Sequence, residues 1–265
     1  MIDSSILQRG VVFACLFGPP RTLSRQDGMD VHSRICEELG VDDISFRYST
    51  TGDEKSRGFS IVMERDQGCG SLSVTIDNKS INDPLRLRVG HTWPPSREHV
   101  YEDIDLASEA TFDVIGSGMN RVLVEARIRA QVEARGGSAE DYLARNVLHL
   151  TDGDMAALQA RPNYFAIKYE VPAVQPSPDD PLSNPKRDMS IEVLREDPRV
   201  LYLELMSQWP QLAQSGMPGG AIEIDVSNLR PLLDPPSAYI KETMGYLTEV
   251  ALPLFGRQEP TRGSR

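Results

Sequence analysis

Cysteine is scarce and unpatterned in this chain. Of 265 residues only Cys15, Cys36 and Cys69 are cysteine. They lie far apart and have no CxxC spacing, which excludes a disulfide framework or a thiolate metal knuckle and fits a reducing, cytoplasmic setting. Long apolar runs are missing as well. The run Val11-Val12-Phe13-Ala14-Cys15-Leu16-Phe17 falls far short of the ~20 residues a membrane helix needs, and no basic leader or small-residue cleavage site accompanies it. Neither a membrane anchor nor a signal peptide is expected.

Positive charge is in deficit. Lys and Arg number 28 against 39 Asp and Glu, a net charge of −11. The deficit is spread over both halves of the chain and counts against gripping nucleic acid through its phosphates, which needs clustered cations. Nucleotide and hydrolase signatures are absent too: there is no GxxxxGK[ST] loop, no GxGxxG after a strand, no GxSxG elbow and no HExxH. Thr151-Asp152-Gly153-Asp154 lacks the rest of a 12-residue calcium loop and reads as the end of one helix and the cap of another. Gly68-Cys69-Gly70-Ser71 reads as a hairpin connection rather than a reactive thiol, and Cys15 as a small core residue.

What is present is repetition. Leu85-Arg86-Leu87-Arg88-Val89-Gly90-His91-Thr92-Trp93-Pro94 aligns without a gap on Leu201-Tyr202-Leu203-Glu204-Leu205-Met206-Ser207-Gln208-Trp209-Pro210, and these hold the only two tryptophans. Upstream, Leu72-Ser73-Val74-Thr75-Ile76 aligns on Met189-Ser190-Ile191-Glu192-Val193. Before that, Phe59-Ser60-Ile61-Val62-Met63-Glu64 aligns on Phe165-Ala166-Ile167-Lys168-Tyr169-Glu170. An apolar or alternating strand opens each half, at 11–17 and 122–130. A helix follows at 27–39 and at 138–158, the second with Ser138 as its cap. Each half closes on a helix entered through Pro-Pro-Ser, at 97–115 and 238–255.

These patterns predict an α+β fold built from tandem duplicated strand-helix-strands-helix units. The units, 1–118 and 119–256, are expected to share a curved antiparallel sheet with helices packed on one face. Gly116-Ser117-Gly118-Met119-Asn120 is the expected junction, the Pro-rich stretch 172–186 a loop, and 257–265 a disordered tail. This element order resembles the duplicated fold of the TATA-binding protein. None of that family's DNA-contacting motifs can be placed here, so DNA binding is not implied. Ala221-Ile222-Glu223-Ile224-Asp225-Val226, followed by the 238–255 helix ending Leu254-Phe255, is similar to the C-terminal end of a sporadically distributed bacterial family. That family has no assigned function, and the likeness supplies no catalytic residues.

Strand parity separates two faces. Leu85, Leu87 and Val89 go inward, leaving Arg86 and Arg88 outward; Val122, Val124, Ala126 and Ile128 go inward, leaving Glu125, Arg127 and Arg129. Ile44, Phe46 and Tyr48 lie opposite Arg47. The outward set of the second half includes Lys168, Tyr202, Glu204, Glu223 and Asp225. Guanidinium forks suit carboxylates and phosphates, so Arg86, Arg88, Arg127 and Arg129 are the candidate ligand-binding residues. The plainer reading of the same face is a solvated sheet with cross-strand ion pairs.

His99, Glu102 and Asp103 share a helix face, and with His91 nearby they are the candidates for a metal or general-base site. The alternative role of Glu98, Glu102, Asp103 and Asp105 is to favour a helix N-terminus. Trp93 and Trp209 are expected to anchor the core rather than line a pocket. The leading expectation is a non-enzymatic binding or adaptor protein that presents its sheet to a protein partner or anionic small molecule, with no cofactor and no metal. A small hydrolase using His91, His99 and Glu102 is the alternative, and a nucleic-acid-binding protein the third. A homodimer is compatible with the need to cover sheet edges.

Overall fold

A computed structural model describes residues 7–52, 57–66, 70–92, 97–116, 120–134, 138–157, 166–173, 182, 185–194, 196–210 and 234–256. Trp93, residues 117–119 of the junction, the turn at Cys69, the stretch 221–226 and the tail 257–265 lie outside them. In chain order the elements are β1 (Leu7–Gly18), α1 (Arg25–Leu39), β2 (Ser45–Thr51), β3 (Gly58–Asp66), β4 (Ser71–Asn78), β5 (Leu85–Thr92) and α2 (Arg97–Ile115). The chain continues through β6 (Asn120–Glu133), α3 (Ala139–Tyr142) with a π-helical turn Leu143–Val147, and α4 (Asp152–Ala157). It ends with β7 (Ala166–Val171), β8 (Lys186–Val193), β9 (Val200–Pro210), α5 (Pro236–Gly245), a π-helical segment Tyr246–Ala251 and α6 (Leu252–Gly256).

Alternation explains the strands. In β4 the side chains of Leu72, Val74 and Ile76 are buried while Ser71, Ser73 and Thr75 stay part-exposed; β8 does the same with Met189, Ile191 and Val193. Period-two patterning with one apolar face is what a half-covered antiparallel sheet requires. All neighbours pair antiparallel, in the order β2-β3-β4-β5-β1-β6-β9-β8-β7. The chain is therefore α+β with one large open sheet. In the first half the meander returns its last strand, β5, to the side of β1; in the second, β9 returns to the side of β6. β1 and β6 pair with each other at the centre.

The buried residues form two clusters on the helix-bearing side. One joins Phe13, Ile61, Leu87 and Val124 to Ile35 of α1, Ile104 of α2 and Tyr239 of α5. The other joins Ile128, Ile191 and Leu203 to Leu143 and Leu247 of the π-helical turns. Each large aliphatic side chain removed from water contributes about 1.5–3 kcal/mol. Trp209 is 3% exposed, donates its indole N–H to the Leu182 carbonyl at 3.0 Å, and meets the Tyr239 ring edge-on at 5.0 Å. It is a core anchor with its one polar atom satisfied.

Local signals fix the helix ends. Ser24 and Asp27 close α1 with a reciprocal capping box, at 3.2 Å from the Asp27 N–H to the Ser24 hydroxyl and 2.7 Å from the Ser24 N–H to the Asp27 carboxylate. Gly40, at φ 64°, ends the helix in the left-handed region that glycine tolerates best. Ser138 caps α3 through the Asp141 N–H at 3.2 Å.

The single helix expected over 138–158 is interrupted. His149 adopts φ 54°, and Thr151 and Asp154 start α4 with their own reciprocal bonds of 2.8 and 3.1 Å. The expected helix over 238–255 begins two residues earlier, at Pro236. It carries a π-helical stretch in which the Thr248 hydroxyl donates back to the Met244 carbonyl at 3.0 Å.

Candidate functional site

Side chains of the opposite parity form a face that the core clusters do not use. The register sets them in rows across the middle of the sheet. Arg88 of β5 lies level with Ala14 of β1, Glu125 of β6 and Gln208 of β9. In the next row Gly90, Val12, Arg127 and Met206 stand level, and beyond them Thr92, Gly10, Arg129 and Glu204. On the other side Arg86 faces Leu16, which faces Leu123.

Arg86 and Arg88 therefore flank β1 on one side and Arg127 and Arg129 on the other, at two strand spacings, roughly 10 Å. The outward residues of β1 between them, Gly10, Val12, Ala14 and Leu16, carry no charge. Parity placed the four arginines on one face. It did not disclose that β1 separates them, because strand order is a long-range property. The signal for an uncharged β1 was available: the run 11–17 is apolar at both parities, the mark of a central strand.

Three of the four arginines are engaged. Arg88 pairs with Asp77 at 2.5 Å. Glu204 takes Arg127 at 3.3 Å with one carboxylate oxygen and Arg129 at 3.0 Å with the other, and Arg127 also approaches the Met206 sulfur at 3.3 Å. Glu125 accepts from the Gln208 amide at 2.6 Å. Such part-exposed pairs are each worth under ~1 kcal/mol. Arg86 makes no ion pair among the described residues. Beside it a shallow hollow of about 30 Å³ is lined by Ala14, Cys15, Leu16, Arg86, Leu123 and Glu125. Tyr202, on the same face, has its phenol pushed up by burial, so it remains a neutral hydrogen-bonding group at physiological pH.

The candidate hydrolytic set is distributed differently. His91, 1% exposed, points to the helix side, where its Nε2 lies 3.1 Å from an Asp103 carboxylate oxygen. His99 and Glu102 are exposed on α2. Among the described residues no group of three His, Cys, Asp or Glu side chains is arranged to hold a metal. His91 and Asp103 thus bring the end of β5 against α2, with neither ring nitrogen in hydrogen-bond geometry among the described residues. Cys15 is buried and its thiol is pushed far up by burial. Burial and the nearby Asp42 and Asp43 carboxylates raise the Cys36 thiol as well. Neither offers a ready thiolate.

The helix side holds a second polar cluster that parity alone would have flagged. Arg187 is in phase with Met189 and Ile191 and is 8% exposed. It pairs through one terminal nitrogen with the Glu242 carboxylate of α5 and lies 4.0 Å over the Tyr246 ring, while its buried Nε has no hydrogen-bond partner among the described residues. No helix among the described residues is long and apolar enough to cross a membrane. No protein-family model matches the chain, and a search of curated proteins finds no relative.

Proposed function

We propose that this chain is a non-enzymatic binding protein whose open sheet face receives an acidic segment of a partner protein. The observation that carries the reading is Arg86. It is a guanidinium without an ionic partner among the described residues, set beside a hollow and an uncharged central strand. A carboxylate seated there gains a charge-assisted, geometrically matched contact. The remaining arginines are already shared with Asp77 and Glu204, so the face as a whole is balanced rather than cationic. That suits a polypeptide with mixed side chains better than a phosphate backbone, which rewards uncompensated positive charge. A hydrolase draws no support from a buried His91 facing Asp103.

The two halves are further read as copies of one module, in the order that resembles the duplicated fold of the TATA-binding protein. The level row Ile61, Ile76, Leu87, Cys15 has a counterpart in Ile167, Ile191, Leu203, Ala130. On this correspondence Val12 matches Arg127, and those two residues pair directly, so a local twofold passes between them at the centre of the open face. Ile76 then matches Ile191, two residues from the alignment of 72–76 on 189–193. A shift of two keeps each side chain on its face.

The test is a titration with a fluorescent peptide of alternating glutamate and valine, followed by anisotropy, against the native chain and the Arg86→Ala/Arg127→Ala variant. This pair removes one guanidinium from each side of β1 and leaves Glu204 with Arg129. Binding by the native chain, lost at least about tenfold in the variant with melting shifted by little, is the expected result. Equal affinity of the two proteins, or equal binding of a lysine–valine peptide, contradicts the proposal. Preference for a free dicarboxylate over the peptide replaces the protein partner with a small anion and contradicts it too.

A further inference from the structure

We propose that the outer edge of β2 and the outer flank of α1 form the surface on which a second copy of this chain docks. β2 is the last strand of the described sheet on its side, so its outward N–H and C=O groups have no strand partner there. Its sequence, SFRYSTT, carries one charge, Arg47, already paired with Glu64 of β3 at 3.0 Å. The opposite edge, β7, carries exposed Lys168 and Glu170, the charged side chains by which sheets discourage pairing.

The helix layer ends flush with the same edge. α1 rides over the boundary of β2 and β3: a Cβ on Gly28 would come within 2.9 Å of Ile61 and 3.2 Å of Phe46. One flank of α1 faces α2, where Arg34 approaches Asp113 at 3.7 Å. The other carries Arg25, Met29, Ser33 and Cys36, aligned by helical spacing. Met29 on this flank is 46% exposed, one of the few large apolar side chains in that state among the described residues.

Joining two β2 edges antiparallel about a twofold extends the sheet and closes the helix layer in one step. Each α1 sits about one strand spacing from the axis, so the two helices come to ~10 Å apart, inside the 8–10 Å range of packed helices. Pairing centred on Phe46 sets Arg47 across from Ser45 of the partner subunit, so like charges do not meet. It also turns the start of one α1 toward the end of the other. Arg25 at the start and Asp42 just past the end have no ion pair in their own chain among the described residues, and the docking brings them toward each other. On a chain of net charge −11, a strip with one neutralised charge is where two copies repel least.

Sedimentation velocity on the full chain over a concentration series tests this. The native protein is expected to form a dimer of 29.4 kDa chains. Met29→Lys is expected to raise its dissociation constant at least about tenfold. Asp42→Arg should weaken it, and the swap Arg25→Asp/Asp42→Arg should recover part of the loss. Both sites are exposed, and circular dichroism checks that the variants remain folded. A concentration-independent monomer overturns the proposal, as does a dimer indifferent to Met29→Lys and Asp42→Arg. Arg86→Ala/Arg127→Ala leaves this assembly intact, which separates failure here from failure of the open-face reading.

Discussion

On β6, Val124, Ala126, Ile128 and Ala130 are wholly buried, while Glu125, Arg127 and Arg129 between them keep contact with solvent. The same backbone thus serves two surfaces with different energetics. On the helix side, stability comes from apolar area and from buried polar groups held in fixed contacts, such as the Trp209 indole on the Leu182 carbonyl and Arg187 on Glu242. On the open side, partners are shared and interchangeable, as when Glu204 divides itself between Arg127 and Arg129. The difference teaches where substitution is tolerated. A face held by exchangeable surface pairs can change its residues at little cost in folding, and that leaves it free to be shaped by what it binds.

The contrast can be broken most readily at Trp209. Trp209→Ala removes a large ring from the junction of β9 and α5 together with its indole hydrogen bond to the Leu182 carbonyl, so chemical denaturation should register a loss of about 3–5 kcal/mol. A loss under 1 kcal/mol would mean the helix side is as tolerant as the open one. An intermediate effect is expected at the start of α1. Burial raises the Asp27 carboxyl, but the hydrogen bonds from Ser24 and the Arg21 charge lower it by more, and it ends below its usual range. A carboxyl depressed in the folded state stabilises above its unfolded pKa and loses that contribution as pH falls through the folded value. Ser24→Ala should therefore cost about 1 kcal/mol at neutral pH. Its gap from the native chain should narrow on acidification as Asp27 protonates in both proteins; a gap that widens in acid would contradict the capping account. Smallest of all is the open-face pair used for the binding test, Arg86→Ala/Arg127→Ala, whose stability cost should stay under about 1 kcal/mol.

Much of the fold could be read from residue order. The parity of 85–89 and 122–130 assigned both faces, Ser138 marked its helix start, and Pro235-Pro236-Ser237 announced α5. In each case the cause is local: a two-residue period, a hydroxyl at a cap, a proline whose missing N–H costs nothing in the first turn. What could not be read depends on contacts distant in the chain. The pairing of β1 with β6 decides that Arg86 and Arg127 flank one strand, and the docking of α2 decides that His91 meets Asp103. The break at His149 was half-legible. Thr151 and Asp154 spell a cap, but the left-handed residue before them has no mark in the sequence. At the candidate site, the sequence named the arginines and left open which was unpaired, because Asp77 lies level with Arg86 yet pairs with the diagonal Arg88, and Glu204 reaches the diagonal Arg127 as well as the level Arg129.

Arginine footprinting in the presence of the glutamate–valine peptide tests most directly whether the open face is the binding surface. With phenylglyoxal labelling read by mass spectrometry, Arg86 should be labelled in the free protein and protected on binding, followed by Arg88, Arg127 and Arg129. Arg34 and Arg145 on the helix side should be unchanged. Protection confined to Arg34 or Arg145, with Arg86 still reacting at its free rate, would contradict the account.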